Sequence, residues 1–372
     1  MASIGIVFGT RPEAIKMAPV VKQFQDSSWE TKVIVTGQHR EMLDQVLEIF
    51  NIVPDHDLDV MRPGQSLSDM TIAVLRGMDQ LLRQTSVDYL LVHGDTTSAL
   101  SAALVGFYHR IPIGHVEAGL RTGNMDHPFP EEANRKLVDH ITSLFFAPTA
   151  KAAMNLRQEG IPEGRIFVTG NTVVDALRIM IDPEYQFKDP QLQNLAFKRP
   201  TVVVTAHRRE NWGQPLVNIC AAIAEAAADL AVDFVFVMHK NPQLQKVVKA
   251  HLSGLANVHL IDALSYDDFT NLLNRCYFIV TDSGGLQEEA AALSKPVLVM
   301  RELTERPEAI ENGFVRLVGT DQQRIAAAIT ELATDQPLYA KMTQGENPYG
   351  DGRAAVRIKQ IMMDYDRRLK QK

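Results

Sequence analysis

Along most of the chain, short apolar runs alternate with longer segments whose apolar residues recur at helical spacing. Runs with apolar residues at nearly every position predict strands buried on both faces, and the longer segments predict amphipathic helices. In the first half this gives strands at 4–8, 32–36, 87–92, 111–116, 144–147 and 165–169. Helices are expected through Ala14, Met17, Val20, Val21 and Phe24, and at 41–50, 67–82, 97–108, 132–142 and 150–159. Residues 173–199 break the rhythm. A short helix ending near Met180 is followed by Asp182-Pro183-Glu184, Asp189-Pro190 and Lys198-Arg199-Pro200, which reads as a linker. A second series then begins, with strands at 201–205, 234–238, 258–261, 277–281, 296–300 and 315–318. Its helices fall at 216–229, 242–251, 266–275, 286–293 and 322–334, and a trailing amphipathic helix runs from 354 to 369. Strands alternating with helices over such a length predict an α/β protein with parallel sheets. The expected domains are 1–172, with the last helix (353–372) packing back onto it, and 173–352.

Ligands of such sheets collect at the carboxyl ends of the strands, so the residues there carry the candidate chemistry. Strand 277–281 runs into Asp282-Ser283-Gly284-Gly285 and then a helix. Two residues without Cβ at a helix start let backbone N–H groups approach an anion, with Ser283 as an added donor. An ordinary strand-to-helix turn has the same composition, so the stretch alone does not decide. Gly9-Thr10-Arg11-Pro12-Glu13 follows the first strand. Thr10 or Gly9 suits the N-cap, while Arg11 is a cation where the helix dipole disfavours one, which favours an anion clamp over a solvated arginine. Asp95, Glu117 and Glu131 fall at strand ends or just past them in the first half. Each alone could be a cap or a surface carboxylate. Together they suggest acids and bases that raise one another's pKa. His207, in Thr205-Ala206-His207-Arg208-Arg209-Glu210-Asn211, opens the second half at a strand end and could face a phosphate or shuttle a proton. Val92-His93-Gly94-Asp95-Thr96-Thr97 and Val280-Thr281-Asp282-Ser283-Gly284-Gly285 occupy matching strand-end positions. Two doubly wound domains facing across a central cleft, one wall acid-rich and one anion-binding, is the expected arrangement.

Composition narrows the functional classes. With 372 residues, 45% hydrophobic and 22% charged, the chain suits about two globular domains. A formal charge of −7 argues against a nucleic-acid surface. There is no signal-peptide pattern and no run long enough to span a bilayer, so a cytoplasmic protein without membrane partners is expected. Cys220 and Cys276 lie far apart in apolar segments, which reads as buried reduced thiols. No Cys/His spacing suggests a metal. The first strand is not followed by Gly-x-Gly-x-x-Gly and the chain has no P-loop, so neither a dinucleotide cofactor nor ATP-driven chemistry is indicated. A nucleoside diphosphate carrying a sugar suits both walls.

The motifs Gly9-Thr10-Arg11-Pro12-Glu13-Ala14-Ile15-Lys16, His93-Gly94-Asp95-Thr96, Val116-Glu117-Ala118-Gly119-Leu120-Arg121, Pro130-Glu131-Glu132, His207-Arg208-Arg209-Glu210-Asn211, Asp282-Ser283-Gly284-Gly285 and Glu305-Arg306-Pro307-Glu308 occur in that order. As a set they resemble the non-hydrolysing UDP-N-acetylglucosamine 2-epimerases of bacteria. The resemblance implies a GT-B-like fold, a homodimer, no cofactor, and reversible conversion of UDP-GlcNAc to UDP-ManNAc for surface polysaccharide. The implied route eliminates UDP to a 2-acetamidoglucal and adds it back. By resemblance Asp95, Glu117 and Glu131 are the acids and bases, and His207 assists UDP at the phosphate. Arg11, Ser283, Gly284 and Gly285 hold the diphosphate with Arg306 nearby, Lys16 being a weaker addition. Glu289 binds the ribose and Phe269 the uracil. An effector site would involve Gln38, His39, Arg208 and His239. Glu41 and Gly64 depart from the regulated pattern, so activation by substrate is not part of the expectation. The alternatives are a GT-B glycosyltransferase, a hydrolysing epimerase that releases ManNAc and UDP, and a binding-only sensor, against which the acidic residues argue.

Overall fold

The computed structural model describes every residue except His39, Pro63, Glu305, Arg306 and Lys372, and every side chain of these except those of Arg40, Glu41 and Pro307. The site candidates His39 and Arg306, and the side chain of Glu41, therefore lie outside the described residues. The chain forms two compact units, residues 1–179 with 349–372, and residues 180–348.

The first unit holds seven parallel strands: β1 Ser3–Phe8, β2 Glu30–Val35, β3 His56–Asp57, β4 Tyr89–His93, β5 Ile113–Val116, β6 Leu144–Ala147 and β7 Ile166–Val168. Their order is β3-β2-β1-β4-β5-β6-β7. The central strands are buried along their whole length, in keeping with their mostly apolar sequences, and they take Ser3, His93 and His115 into the interior with them. The edges are short, which limits pairing with other chains. Edge strand β3, two residues with one apolar-poor face, gives no periodic signal and was not expected. One core face gathers Val7, Ile34, Leu90 and Val92 against Val74, Met78, Ala102 and Val105.

The second unit holds β8 Thr201–Thr205, β9 Asp233–Val237, β10 Val258–Ile261, β11 Phe278–Thr281, β12 Val297–Val299 and β13 Val315–Leu317. Their order is β10-β9-β8-β11-β12-β13, the doubly wound Rossmann order. Its core packs Val202, Val204, Phe234, Phe236, Phe278 and Val280 against Ile219, Ile223, Val248 and Ile329. Cys220 and Cys276 are buried free thiols, and burial pushes each up to about 12.

Two stretches differ from expectation. The unit boundary lies at 179/180, not 172/173. All but the last residue of the Thr172–Met180 helix stays with the first unit because Asp175 accepts the N–H groups of Ala354 and Ala355 at 3.1 and 2.9 Å, tying it to the start of the Ala354–Lys370 helix. That last helix packs on the first unit, with Ile358 and Met362 fully buried and Asp366 accepting from the Tyr89 hydroxyl at 2.9 Å. The supposed linker is also ordered. Asp268 accepts the N–H groups of Lys188 and Asp189 at 2.9 Å each, Asn271 holds Met180 and Asp182, and a short helix forms at Pro190–Gln193. Helices at Pro307–Glu311 and Gln336–Thr343 were not expected either; both are short and weakly periodic.

In each sheet the chain direction reverses between two central strands, β1 and β4 in one and β8 and β11 in the other. Ligands of open α/β sheets bind outside the strand ends at that switch point. In both units a buried carboxylate bridges it. Glu13, after β1, accepts from Gly9 N at 2.9 Å, Thr10 N at 2.8 Å and the Thr96 hydroxyl beyond β4 at 2.6 Å. Asp282, after β11, accepts from His207 N and Arg208 N beyond β8, each at 2.9 Å.

Candidate functional site

In the first unit, Thr10 caps the Arg11–Gln25 helix and completes a capping box with Glu13. Burial raises the Glu13 pKa, opposed by its hydrogen bonds to Thr96, Gly9 and Thr10. Gly9 is required by a close approach, since a Cβ there would lie 1.9 Å from Thr36 Oγ1 and 2.8 Å from Ser98 Oγ. The helix begins at Arg11, which is partly exposed and has no hydrogen bond or ion pair among the described residues. It is a cation available to an anion.

One turn on, Lys16 forms a short, largely buried ion pair with Glu117. Glu117 has a left-handed φ of 67°, sparsely populated for a residue with a Cβ. Its Oε2 accepts from Asn171 Nδ2 at 2.9 Å and lies 3.8 Å from His93 Nε2. His93, at the end of β4, is 3% exposed, and neither ring nitrogen has a hydrogen-bond partner among the described residues. Burial holds its ring far below the ordinary imidazole value, at about 3; Lys16 and His115 also lower it, and Glu117 opposes them.

The loop after β4 places Asp95 against Arg135 in a short ion pair, while Asn134 Nδ2 donates to the Asp95 carbonyl at 2.9 Å. Behind this loop the His115 ring sits between the Gly94 carbonyl, 2.8 Å from Nε2, and Asp139, 2.6 Å from Nδ1. Asp139 is also paired with Arg121 at 2.7 Å. Although burial opposes it, His115 and Arg121 hold the Asp139 carboxyl below its ordinary range. Glu131 is the first residue of the Glu131–Ile141 helix, half-buried and without hydrogen bond or ion pair among the described residues. Its neighbour Glu132 is the buried one, accepting from Thr122 N and Gly123 N at 3.1 and 3.2 Å. Two of the three expected carboxylates thus carry their own cation. The site is built of ion pairs rather than of acids crowding one another.

In the second unit, Asp282 is fully buried and also accepts from Asn211 Nδ2 at 3.0 Å. It lies 3.4 Å from His207 Nδ1. Partial burial lowers the His207 pKa, Asp282 opposes this, and Arg208 and His239 add to it. The His207 ring stacks on that of His239, 6.0 Å between centroids. Ser283 stands at the N-cap of the Gly284–Ala292 helix, yet its hydroxyl makes no cap bond. A Cβ at Gly285 would meet nothing within 4 Å. Among the described residues the helix start is therefore open, with unused N–H donors, a free hydroxyl and clear space. Glu289 is half-buried on this helix, and Phe269 is half-buried on the Tyr266–Arg275 helix.

Of the effector candidates, Gln38 accepts from Ser98 Oγ at 2.8 Å, Arg208 is half-buried beside His207, and His239 is exposed. Gly64 has φ +75° with open space around it. Sequence reasoning gave no separate role to His93, Asn171, Asp139 or Asp282. Asn171 follows a strand without any motif. Asp282 was legible as part of the glycine turn, but its reach to His207 is a tertiary fact. Among the described residues, no group of acidic, histidine and cysteine side chains could hold a metal, and no helix is long and apolar enough to cross a membrane.

Two doubly wound parallel sheets with polar residues gathered at both switch points define a GT-B-like α/β protein. The kitacinnamycin glycotransferase shares this fold at 13% identity, with a TM-score of 0.67 over 96% of this chain and 98% of its own. The family model described as UDP-N-acetylglucosamine 2-epimerase matches residues 22–363, and the chain belongs to that family. It is 52% identical to the UDP-N-acetylglucosamine 2-epimerase of Yersinia pestis over 96% of this chain and 98% of that one. The Neisseria meningitidis UDP-GlcNAc 2-epimerase, solved bound to UDP-GlcNAc, is 44% identical with a TM-score of 0.90, covering 97% of this chain and 100% of its own. The Methanocaldococcus jannaschii enzyme, in complex with UDP-GlcNAc and UDP, is 32% identical with a TM-score of 0.79, over 97% and 99%.

Proposed function

We propose that the protein interconverts UDP-GlcNAc and UDP-ManNAc without hydrolysis, by eliminating UDP and adding it back. The C2 proton has no adjacent carbonyl, so a carbanion there would be poorly stabilised. Elimination avoids it. As a base takes the C2 proton, the C–H electron pair becomes the C1=C2 bond of a 2-acetamidoglucal. The C1–O bond breaks, and its pair leaves on the UDP β-phosphate. In the return step UDP attacks C1 and a proton reaches the other face of C2. No water is consumed and no electrons are lost, so the route calls for no redox cofactor.

The observation that carries this reading is the Glu117 carboxylate, held in a left-handed backbone turn by Lys16 and Asn171 beside a buried neutral histidine. A fixed, largely buried base is what proton abstraction from carbon needs. We assign Glu117, Asp95 and Glu131 to the proton transfers. Lys16 is paired with Glu117, so we assign it to that carboxylate rather than to the diphosphate. The open helix start at Ser283, Gly284 and Gly285 supports a diphosphate site, with Arg11 and Arg306 as cations and His207 beside the departing phosphate. Glu289 and Phe269 are assigned to ribose and uracil. The same reading makes the enzyme a cytoplasmic homodimer feeding surface polysaccharide, and sedimentation velocity checks the dimer.

Incubation with UDP-GlcNAc in D2O, followed by NMR, tests the proposal. Deuterium at C2 of both sugars, with UDP-ManNAc formed and no stoichiometric UDP, is expected. Free UDP with ManNAc would make it a hydrolysing enzyme. An unlabelled C2 with consumption of an acceptor would make it a transferase.

A further inference from the structure

We propose that His93 is a positioning residue for Glu117, its Nε2 accepting the hydrogen of the Glu117 carboxyl group while that group holds the proton taken from sugar C2. The inference rests on the reading of Glu117 as a base, and goes beyond it to the group that receives the protonated base.

The starting point is an anomaly of burial. A histidine 3% exposed whose ring nitrogens are both unpaired among the described residues leaves polar atoms without partners, an arrangement native interiors avoid. The ring is not far from a partner, since Glu117 Oε2 lies 3.8 Å from Nε2. A carboxylate and an N–H that close would be expected to shorten to a hydrogen bond. Two acceptors facing each other would not. The gap is therefore what an Nδ1–H tautomer and an ionised Glu117 produce. Glu117 from the loop after β5, Lys16 from the Arg11–Gln25 helix and His115 from β5 are titratable groups whose charge acts on the ring. Burial, with the Lys16 cation added to it, keeps a positive charge off the ring, so His93 remains neutral.

Proton transfer from C2 changes this balance. Protonated Glu117 has lost the charge that attracts Lys16, and it has gained a hydrogen that needs an acceptor. The Nε2 lone pair is the acceptor already in place. Closing from 3.8 Å to hydrogen-bond distance needs a shift of about 1 Å in the carboxyl group. The proton stays on Glu117, no covalent bond forms to His93, and returning the proton to carbon restores the starting arrangement.

His93→Phe, which fills the space without an acceptor, should lower kcat by about tenfold to a hundredfold with little change in KM. It should also move the acid limb of the pH–rate profile to lower pH, because the protonated form of Glu117 has lost a partner. His93→Gln, whose carbonyl reaches the Nε2 position, should recover most of kcat and the wild-type limb. An unchanged limb in His93→Phe, or equal loss in both variants, overturns the proposal. Should the Phe variant not fold, ¹⁵N NMR of the wild-type ring at pH 7 decides alone: an Nδ1–H tautomer is expected, and Nε2–H or an imidazolium refutes it. Full activity in Glu117→Gln would instead refute the reading of Glu117 as base, whichever tautomer His93 adopts.

Discussion

Glu117 and Asp95 are held with different firmness. Glu117 is gripped by Lys16 and Asn171 on a left-handed turn, whereas Asp95 has one arginine partner and a quarter of its side chain exposed. If both move protons, Glu117→Gln and Asp95→Asn should each lower turnover by about two to four orders of magnitude. Wild-type rates in both would reject the assignments. His207 offers a pH test. Its folded pKa is depressed below the ordinary 6.5, chiefly by burial, so the free protein holds it neutral at pH 7. The unfolded chain takes up this proton first as pH falls below 6.5, so the group costs stability in acid. A bound diphosphate brings negative charge and should raise the pKa. Titration of the His207 ring by NMR should show a midpoint below 6.5 without UDP and an upward shift with it. An unmoved midpoint would separate His207 from the phosphate.

Thr10, Ser66, Thr96, Thr149, Asn241 and Asp321 each cap their own helix with a side-chain oxygen. Ser283 has the residue type and backbone of a cap but leaves its helix open. Losing a working serine cap costs about 1 kcal/mol. Ser283→Ala should cost almost none of that, so its melting temperature should stay near wild type. UDP should bind more weakly, and UDP with 2-acetamidoglucal should escape into solution during turnover. A variant that loses melting temperature but retains the intermediate would make Ser283 a structural residue. Arg11 and Glu13 show how one turn serves both ends: Glu13 uses the helix start to bind the switch point together, which leaves Arg11 outside that network.

At the scale of the molecule, the last helix returns to the first unit through residues distant in sequence. Asp175 bonds its first N–H groups, Ile358 and Met362 are buried, and Tyr89 meets Asp366. Removing a carboxylate that accepts two buried N–H groups costs about 2 kcal/mol or more. Asp175→Ala should therefore lower the calorimetric transition of the first unit and leave that of the second in place. A uniform shift of both would show that the two units unfold as one. Tyr89→Phe should have the same selectivity with a smaller loss, about 1 kcal/mol.

The alternation of apolar runs and amphipathic segments determined two α/β halves and most of their elements, because a parallel strand buried on both faces leaves an unbroken apolar signature. Strand 201–205 and helices 97–108, 266–275 and 322–334 have the bounds the pattern gave. Motifs at strand ends located the candidate site because the doubly wound order brings strand ends of one sheet together. Tertiary structure decided everything that depends on distant residues meeting. It tied the Thr172–Met180 helix to the first unit through Asp175, and it ordered residues 182–193 along the Tyr266–Arg275 helix. It also paired Glu117 with Lys16 and Asp95 with Arg135, where sequence proximity to strand ends suggested a cluster of bare acids. Strand ends fix where a carboxylate sits. Which cation neutralises it is set by side chains reaching in from other helices, and periodicity along the chain carries no record of that.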